Sequence, residues 1–406
     1  MPRLIRGLTM IAVVLVACDA PDEGDVPVDA ATVDSAGVRI IDNGQLPPSD
    51  PTSPPAPLVT IGVVDGLPEN QLFRVSDAKR LSDGAIAVTN GGTRELHIYE
   101  SDGTHRATAG GEGQGPNEFR YPIAMVILPG DTIQVQDRMD RVYFTSDGEF
   151  LRRETADRQA FVELAQAAGG MSEGGQWMAD GTYFAPIYQG EREDRPPVAG
   201  PPFRPPMSIV RASADFTSLD SLGRFGGILQ QYVAVGRERP SATVPPFGTN
   251  TSWALGSSDG TIVLGDNATS QVERFHPDGT HSIVRWSHEA EPITGAEAEA
   301  WKDRQRSASW AQGRLPELER AWAGLDLPTN KPFYGRTMVG SDGTLWLGAN
   351  DNLGQTTTLT VFNRDGSYEG SVQIAGEFVV YDSGPGWVLG MSRDENEVEF
   401  IHVYER

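Results

Sequence analysis

Six histidines, one cysteine and a glycine-rich run are the residues of this 406-residue chain whose chemistry could be specialised. His97, His105, His276, His281, His288 and His402 form no H-x-H or H-x-x-x-H pair, and Cys18 lies far from all of them. A zinc site needs three or four such donors converging, so these read as scattered turn and strand histidines. Gly110-Gly111-Glu112-Gly113-Gln114-Gly115 has the outline of a phosphate loop. No Gly-Lys-Ser/Thr follows it, however, and no helix N-terminus is at hand to hold a phosphate. No G-x-S-x-G elbow marks a nucleophilic serine. No catalytic residue and no metal-ligand set is assigned.

The chemistry of Cys18 is of another kind. Arg3 and Arg6 precede an apolar run, Ile11 to Val16, too short to span a bilayer. The run ends in Leu15-Val16-Ala17-Cys18, which resembles the bacterial lipobox: an aliphatic residue, a tolerant position, a small residue, then the cysteine that takes a diacylglycerol. Residues 1–17 are therefore expected to be a lipoprotein signal peptide and Cys18 a lipid-anchored N-terminus. Asp19 resembles the inner-membrane retention signal of enteric bacteria and leans the address that way. As the only cysteine, Cys18 leaves no intrachain disulfide to brace an exported domain. Residues 18–57 are acidic, poor in apolar side chains and dense in proline towards their end, which reads as a disordered tether. Within it, Gly37-Val38-Arg39-Ile40-Ile41 alone could pair as an edge strand.

The elements that would position any site come from an imperfect repeat. Its unit is an Asp-Gly turn, an alternating strand, a polar turn, a second strand and another Asp-Gly turn. Ser82-Asp83-Gly84 to Asp102-Gly103 is the first clear copy, and copies follow at 129–148, 258–279 and 341–366. Degenerate copies open at Met178 and Phe378. Asp-Gly supplies tight hairpin turns, and period-two alternation gives strands with a buried face. Four-stranded units of this kind shield one another by stacking radially, so the fold class is all-β, a β-propeller over residues 58–406. Leu58 to Val63 lacks partners of its own and is expected to close the ring by joining the last blade. Six blades result, while the 211–250 stretch leaves room for a seventh.

Gly111-Glu112-Gly113-Gln114-Gly115-Pro116-Asn117-Glu118-Phe119-Arg120-Tyr121-Pro122 resembles the linker between blades of NHL-repeat propellers and sits between the first two copies. The chain thus resembles the NHL-like six-bladed β-propeller lipoproteins of bacteria, although its third and sixth copies depart from the pattern. That resemblance implies a fold and a habit of binding, with no single activity attached. Two insertions interrupt the repeat. Residues 191–206 form a proline-rich loop in the third blade. Residues 294–325 read as helix, with Thr294 and Glu297 as a capping box and a break near Gly313 to Pro316. Trp301, Trp310 and Trp322 recur along it, either packing over the ring or lining a ligand or partner site.

Asn90, Asp137, Asp266 (with Asn267) and Asn350 recur at the end of what reads as the innermost strand of each blade. Such side chains bond their own turns; gathered around a channel, they could instead bind a sugar, a peptide or a hard cation such as Ca²⁺. A formal charge of −23 repels phosphate backbones, so nucleic acid is excluded as a partner. The expectation is a membrane-anchored envelope platform that recognises protein, peptide or glycan, facing the periplasm or the exterior. The alternative is a channel-sited hydrolase or lyase.

Overall fold

The computed structural model describes residues 30–47, 51–189, 199–234, 240–256, 259–308, 311, 313–349 and 356–406. Cys18, Asp19, Trp310, Asn350 and the stretch 191–198 lie outside them. The described residues form a six-bladed β-propeller.

Blade 1 consists of Val75–Arg80, Ile86–Asn90, Glu95–Tyr99 and His105–Gly110, from the axis outwards. Blade 2 repeats this with Pro122–Leu128, Thr132–Asp137, Asp140–Phe144 and Phe150–Glu154. In blade 3 the innermost position is split between Gly170–Met171 and Gln176–Trp177, both pairing with Tyr183–Gln189; Pro206–Ala212 and Leu219–Gly226 follow. Blade 4 is Thr251–Leu255, Ile262–Asp266, Gln271–Phe275 and His281–Ser287. Blade 5 is Thr337–Val339, Leu345–Gly348, Thr356–Phe362 and Tyr368–Ala375. Blade 6 takes Phe378–Gly384, Trp387–Arg393 and Glu399–Glu405 from the end of the chain and its outer strand, Val59–Ile61, from the beginning. The expected closure by Leu58 to Val63 is thus what shuts the ring. The 211–250 stretch adds no seventh blade. It supplies the outer strand of blade 3 and a separate hairpin, Gln231–Val233 with Ser241–Thr243.

Apolar clusters seal the seams. Leu96 and Ile98 of blade 1 meet Met125, Ile133 and Val135 of blade 2. Val263 and Val284 of blade 4 meet Leu345 and Phe362 of blade 5. The linker expected between blades 1 and 2 folds as a compact turn that inserts Phe119, fully buried, into their seam. Gly110 is at φ 87°, and a Cβ there would stand 2.3 Å from the Phe119 ring, so only glycine fits.

The span read as tether is not all tether. Ala31–Ser35 and Val38–Gln45 form a hairpin whose second strand lies parallel to the outer strand of blade 4. The edge strand expected at Gly37 to Ile41 falls within it. Beyond, Thr52 bridges to Val372 on the outer edge of blade 5 before the chain enters blade 6. The N-terminal segment is therefore a strap over three successive blades. Ile41 anchors it in the seam of blades 4 and 5, and this burial is what the run of prolines and acids concealed.

Strand alternation sorts the connections by end. Loops after first and third strands lie at one end of the ring and loops after second and fourth strands at the other. The Asp-Gly turns Asp83-Gly84, Asp102-Gly103, Asp180-Gly181, Asp259-Gly260, Asp278-Gly279, Asp342-Gly343 and Asp365-Gly366 all fall at the first end. Each carboxylate there accepts a hydrogen bond from the backbone N–H two residues on. Among the described residues, the long insertions fall at the opposite end: the helix α1 (Arg158–Ala167), residues 199–205 of the proline-rich loop, the hairpin Gln231–Val233 with Ser241–Thr243, and the helices α2 (Gly295–Ser307) and α3 (Leu315–Ala323). α2 begins with the capping box expected at Thr294 and Glu297. α1 was not expected from the sequence; it is capped by the Asp157 carboxylate, which accepts from Ala160 N–H, and it buries Phe161 and Ala165 on blade 3.

Candidate functional site

The expected ring of oxygen ligands does not assemble as read. Asn90, Asp137 and Asp266 end second strands, one layer out from the innermost position assigned to them. The innermost strands, such as Val75–Arg80, alternate too poorly to be recognised, which shifted the count by one. Asn90 is fully buried; its carbonyl accepts Phe73 N–H at 2.9 Å and its amide donates to Gln71 O at 3.1 Å. Asp137 accepts the Arg120 and Tyr121 N–H groups and pairs with Arg153. In blade 4 the same task falls to Asn267, which accepts Asn250 N–H at 2.7 Å, while Asp266 takes a bidentate contact from Arg204 at 2.8 Å. Asn90, Asp137 and Asn267 each tie the loop entering their own blade, whereas Asp266 reaches across to Arg204 of the blade 3 insertion, and no hydrogen bond or ion pair among the described residues joins Asn90, Asp137 and Asp266 to one another.

Polar groups that do meet at the axis come from the innermost strands. The register shifts between Val75 and Asp77 and again between Val380 and Asp382, bulges that turn two carboxylates towards neighbouring blades. Asp77 accepts Met125 N–H of blade 2 at 2.8 Å. Asp382 accepts Arg80 N–H of blade 1 at 3.3 Å and Ser341 N–H of blade 5 at 3.2 Å. Lys79 lies 3.5 Å from Asp77 and donates to Tyr381 O at 2.6 Å. Burial pushes both carboxyls up, Asp382 to about 6. Burial opposes the Lys79 ammonium too, but Asp77 and Asp382 outweigh it and hold the lysine above its ordinary value. The set ties blades 5, 6, 1 and 2 together. The sequence carried no signal for it, because a lone Asp-x-Lys in a weak strand resembles solvated surface.

The insertion-bearing end offers a different arrangement. Among the described residues, every exposed large apolar side chain except Val33, Leu58, Phe150 and Leu151 lies there. Phe73 and Tyr121 occupy equivalent positions before blades 1 and 2, 56% and 58% exposed, with the Arg74 and Arg138 guanidinium groups over their rings. The insertions also lock to one another. Gln231 accepts Asp326 N–H at 2.7 Å and donates to both the Asp326 carboxylate and Gly200 O at 3.0 Å. Phe203 stacks on Tyr232, and Trp301 of α2 meets Trp322 of α3 at 5.9 Å. Two of the three insertion tryptophans thus pack within the insertion itself.

Beside this cap, between α1 and the channel mouth, opens a cavity of about 690 Å³. Innermost strands of three blades reach it through Ile123, Gln176 and Trp253. A larger cleft, about 1130 Å³, runs under the N-terminal strap, but its Arg406 is already engaged by Asp342 and Glu369. Among the described residues, no three His, Cys, Asp or Glu side chains are grouped to hold a metal ion. His97 meets Glu69 O and Glu95 within blade 1, and His402 sits between Thr60 and Ser392 in blade 6.

With this geometry in view, the fold defines the class, a six-bladed β-propeller. The sequence matches no family model and no curated protein. Solved propellers resemble it in outline. A Bacteroides fragilis protein whose name calls it exported is 9% identical, over 90% of this chain and 99% of its own, with a TM-score of 0.45. A member of the DUF4221 family from Bacteroides vulgatus is 10% identical over 85% and 95%, with a TM-score of 0.46. The calcium-binding protein regucalcin of Agrobacterium tumefaciens is 11% identical over 86% and 96%, with a TM-score of 0.38.

Proposed function

We propose that this chain is an NHL-like propeller lipoprotein of the bacterial envelope, anchored through Cys18, whose insertion-bearing end is a recognition platform for an envelope protein, peptide or glycan. The observation that carries this reading is the segregation of the two ends. One end is built of short Asp-Gly turns whose carboxylates are spent on their own backbone. The other collects the insertions and the exposed apolar side chains, the composition of a binding surface. The strap supports the arrangement: Ala31 pairs with Asp42, which pairs with Arg285 near the insertion-bearing end of blade 4. The stretch from Cys18 to Ala30 spans no more than about 45 Å fully extended, so the platform stays close to its membrane. Asp19 favours the inner membrane and a periplasmic position.

The test is a crosslinked pull-down of the lipidated protein from its own membranes. A single stoichiometric partner, lost when residues 294–325 are deleted from a chain that still melts cooperatively, supports the platform. No partner above background contradicts it. Cys18→Ala is expected to move the protein from the membrane to the soluble fraction; a variant that stays membrane-bound removes the anchor from the account.

A further inference from the structure

We infer that the 690 Å³ cavity beside α1 is a binding site for an anionic ligand carrying a flat apolar ring. The inference rests on the reading of this end as the recognition surface and names what one part of it holds. The volume lies within the range of about 300–1,000 Å³ typical of small-molecule sites. Aromatic rings contribute to its wall: Tyr188 and Trp253 from blades 3 and 4, Phe161 from α1, and Tyr121 at the rim. Flat rings against flat rings favour a planar guest.

Charge selects the other half of the ligand. Arg138 and Arg158 line the cavity, are exposed, and pair with no carboxylate among the described residues. Arg74 and Arg120 stand at the same end, likewise without a carboxylate. This contrasts with Arg106, Arg153, Arg204, Arg211 and Arg306, each spent on an acid, in a chain of net charge −23. Glu173 is the one carboxylate in the lining, and it is exposed. Arg138 is also held in place. Its backbone sits at φ 58°, in the left-handed region that L residues seldom adopt. Its N–H donates to Tyr121 O at 3.1 Å and its carbonyl accepts from Gln136 at 2.6 Å, which fix that conformation. Unpaired guanidinium groups over an aromatic wall suit a carboxylate or sulfonate attached to a ring.

The Tyr183 hydroxyl is buried behind the cavity wall without a hydrogen-bond partner. Such a group is uncommon, but with no accessible surface it is out of a ligand's reach, and Arg138, Arg158 and the rings define the site.

The test uses the purified soluble chain and two fluorescent probes, 8-anilinonaphthalene-1-sulfonate and the neutral N-phenyl-1-naphthylamine. Saturable 1:1 binding of the sulfonate is expected. The Arg138→Ala/Arg158→Ala double variant, with both substitutions at exposed positions, should weaken the sulfonate at least tenfold and leave the neutral probe within twofold. Equal sulfonate binding by the variant, or no saturable sulfonate binding by the wild type, overturns the inference. Phenylpropanoate and a hexapeptide ending in phenylalanine carboxylate are then used as competitors. Displacement by the free acid places the ligand among small acids, and displacement by the peptide alone places it on a protein terminus. Failure of both to displace bound sulfonate overturns the assignment. Loss of the probe site together with retained partner capture in membranes sinks this inference alone, whereas lost capture with intact probe binding sinks the platform reading.

Discussion

Asp382 couples the stability of this ring to pH through a single buried side chain. Its folded pKa, about 6, lies above the ordinary carboxyl value of 3.8 because burial disfavours the charge. The folded state therefore holds this proton more tightly than the unfolded chain. The group's contribution to stability is full below pH 3.8 and is lost as the pH rises through 6. Asp382→Asn should remove that component: the difference in unfolding free energy between wild type and variant, from urea melts, is expected to change between pH 4 and 6 and to be flat above 7. A difference independent of pH would show that the carboxyl is not perturbed. Asn90→Ala makes a complementary case, since it removes a buried amide and strands Phe73 N–H and Gln71 O in the loop entering blade 1. It should lower stability by about 1–3 kcal/mol, read as a reduced urea midpoint at constant m-value. At this scale the sequence was legible only in part. Asn90 and Asp137 stood out because their spacing repeats, and tying the loop into one's own blade is what the repeat conserves structurally. Lys79, Asp382, Arg138 and Tyr183 did not, because single polar residues at strand ends look alike until the strands are assembled.

The strap ties blades 4, 5 and 6 from outside the ring. Asn43, 1% exposed, donates to Arg285 O of blade 4 at 3.3 Å and to Gly366 O of blade 5 at 3.0 Å, and accepts Tyr368 N–H at 2.7 Å. Asn43→Ala leaves those groups unsatisfied and should loosen the hairpin 31–45 specifically. Amide hydrogen exchange there is expected to accelerate while blades 1 and 2 keep their protection, and uniform exchange across all blades would contradict the strap's local role. Elements with a strong local signature were readable in advance: Asp-Gly hairpins, the Thr294–Glu297 capping box and the Gly111–Pro122 linker. Those whose form depends on what they cover were not. α1 spends few apolar residues on a face supplied by blade 3, and the Val38–Gln45 strand hides within an acidic, proline-rich neighbourhood.

At the scale of the whole molecule, the fold divides labour between its ends. Asp-Gly turns recur at one end with carboxylates bonded to their own backbone, whereas the other end carries the long insertions between loops that Asn90, Asp137 and Asn267 tie into their blades. The number of blades and the closure by the N-terminal strand were both legible, since each follows from counting strands and finding one without a partner. Which end carries the insertions was not, because it depends on strand direction through all six blades. The central claim is that recognition belongs to the insertion-bearing end. Photo-crosslinking amino acids placed singly at Tyr121 and Val162 on that end, and at Asp102 and Asp278 on the other, test it directly in native membranes. Discrete adducts from Tyr121 and Val162, with none from Asp102 or Asp278, are the expected result. Adducts confined to the Asp-Gly end, or equal from both, would contradict the account.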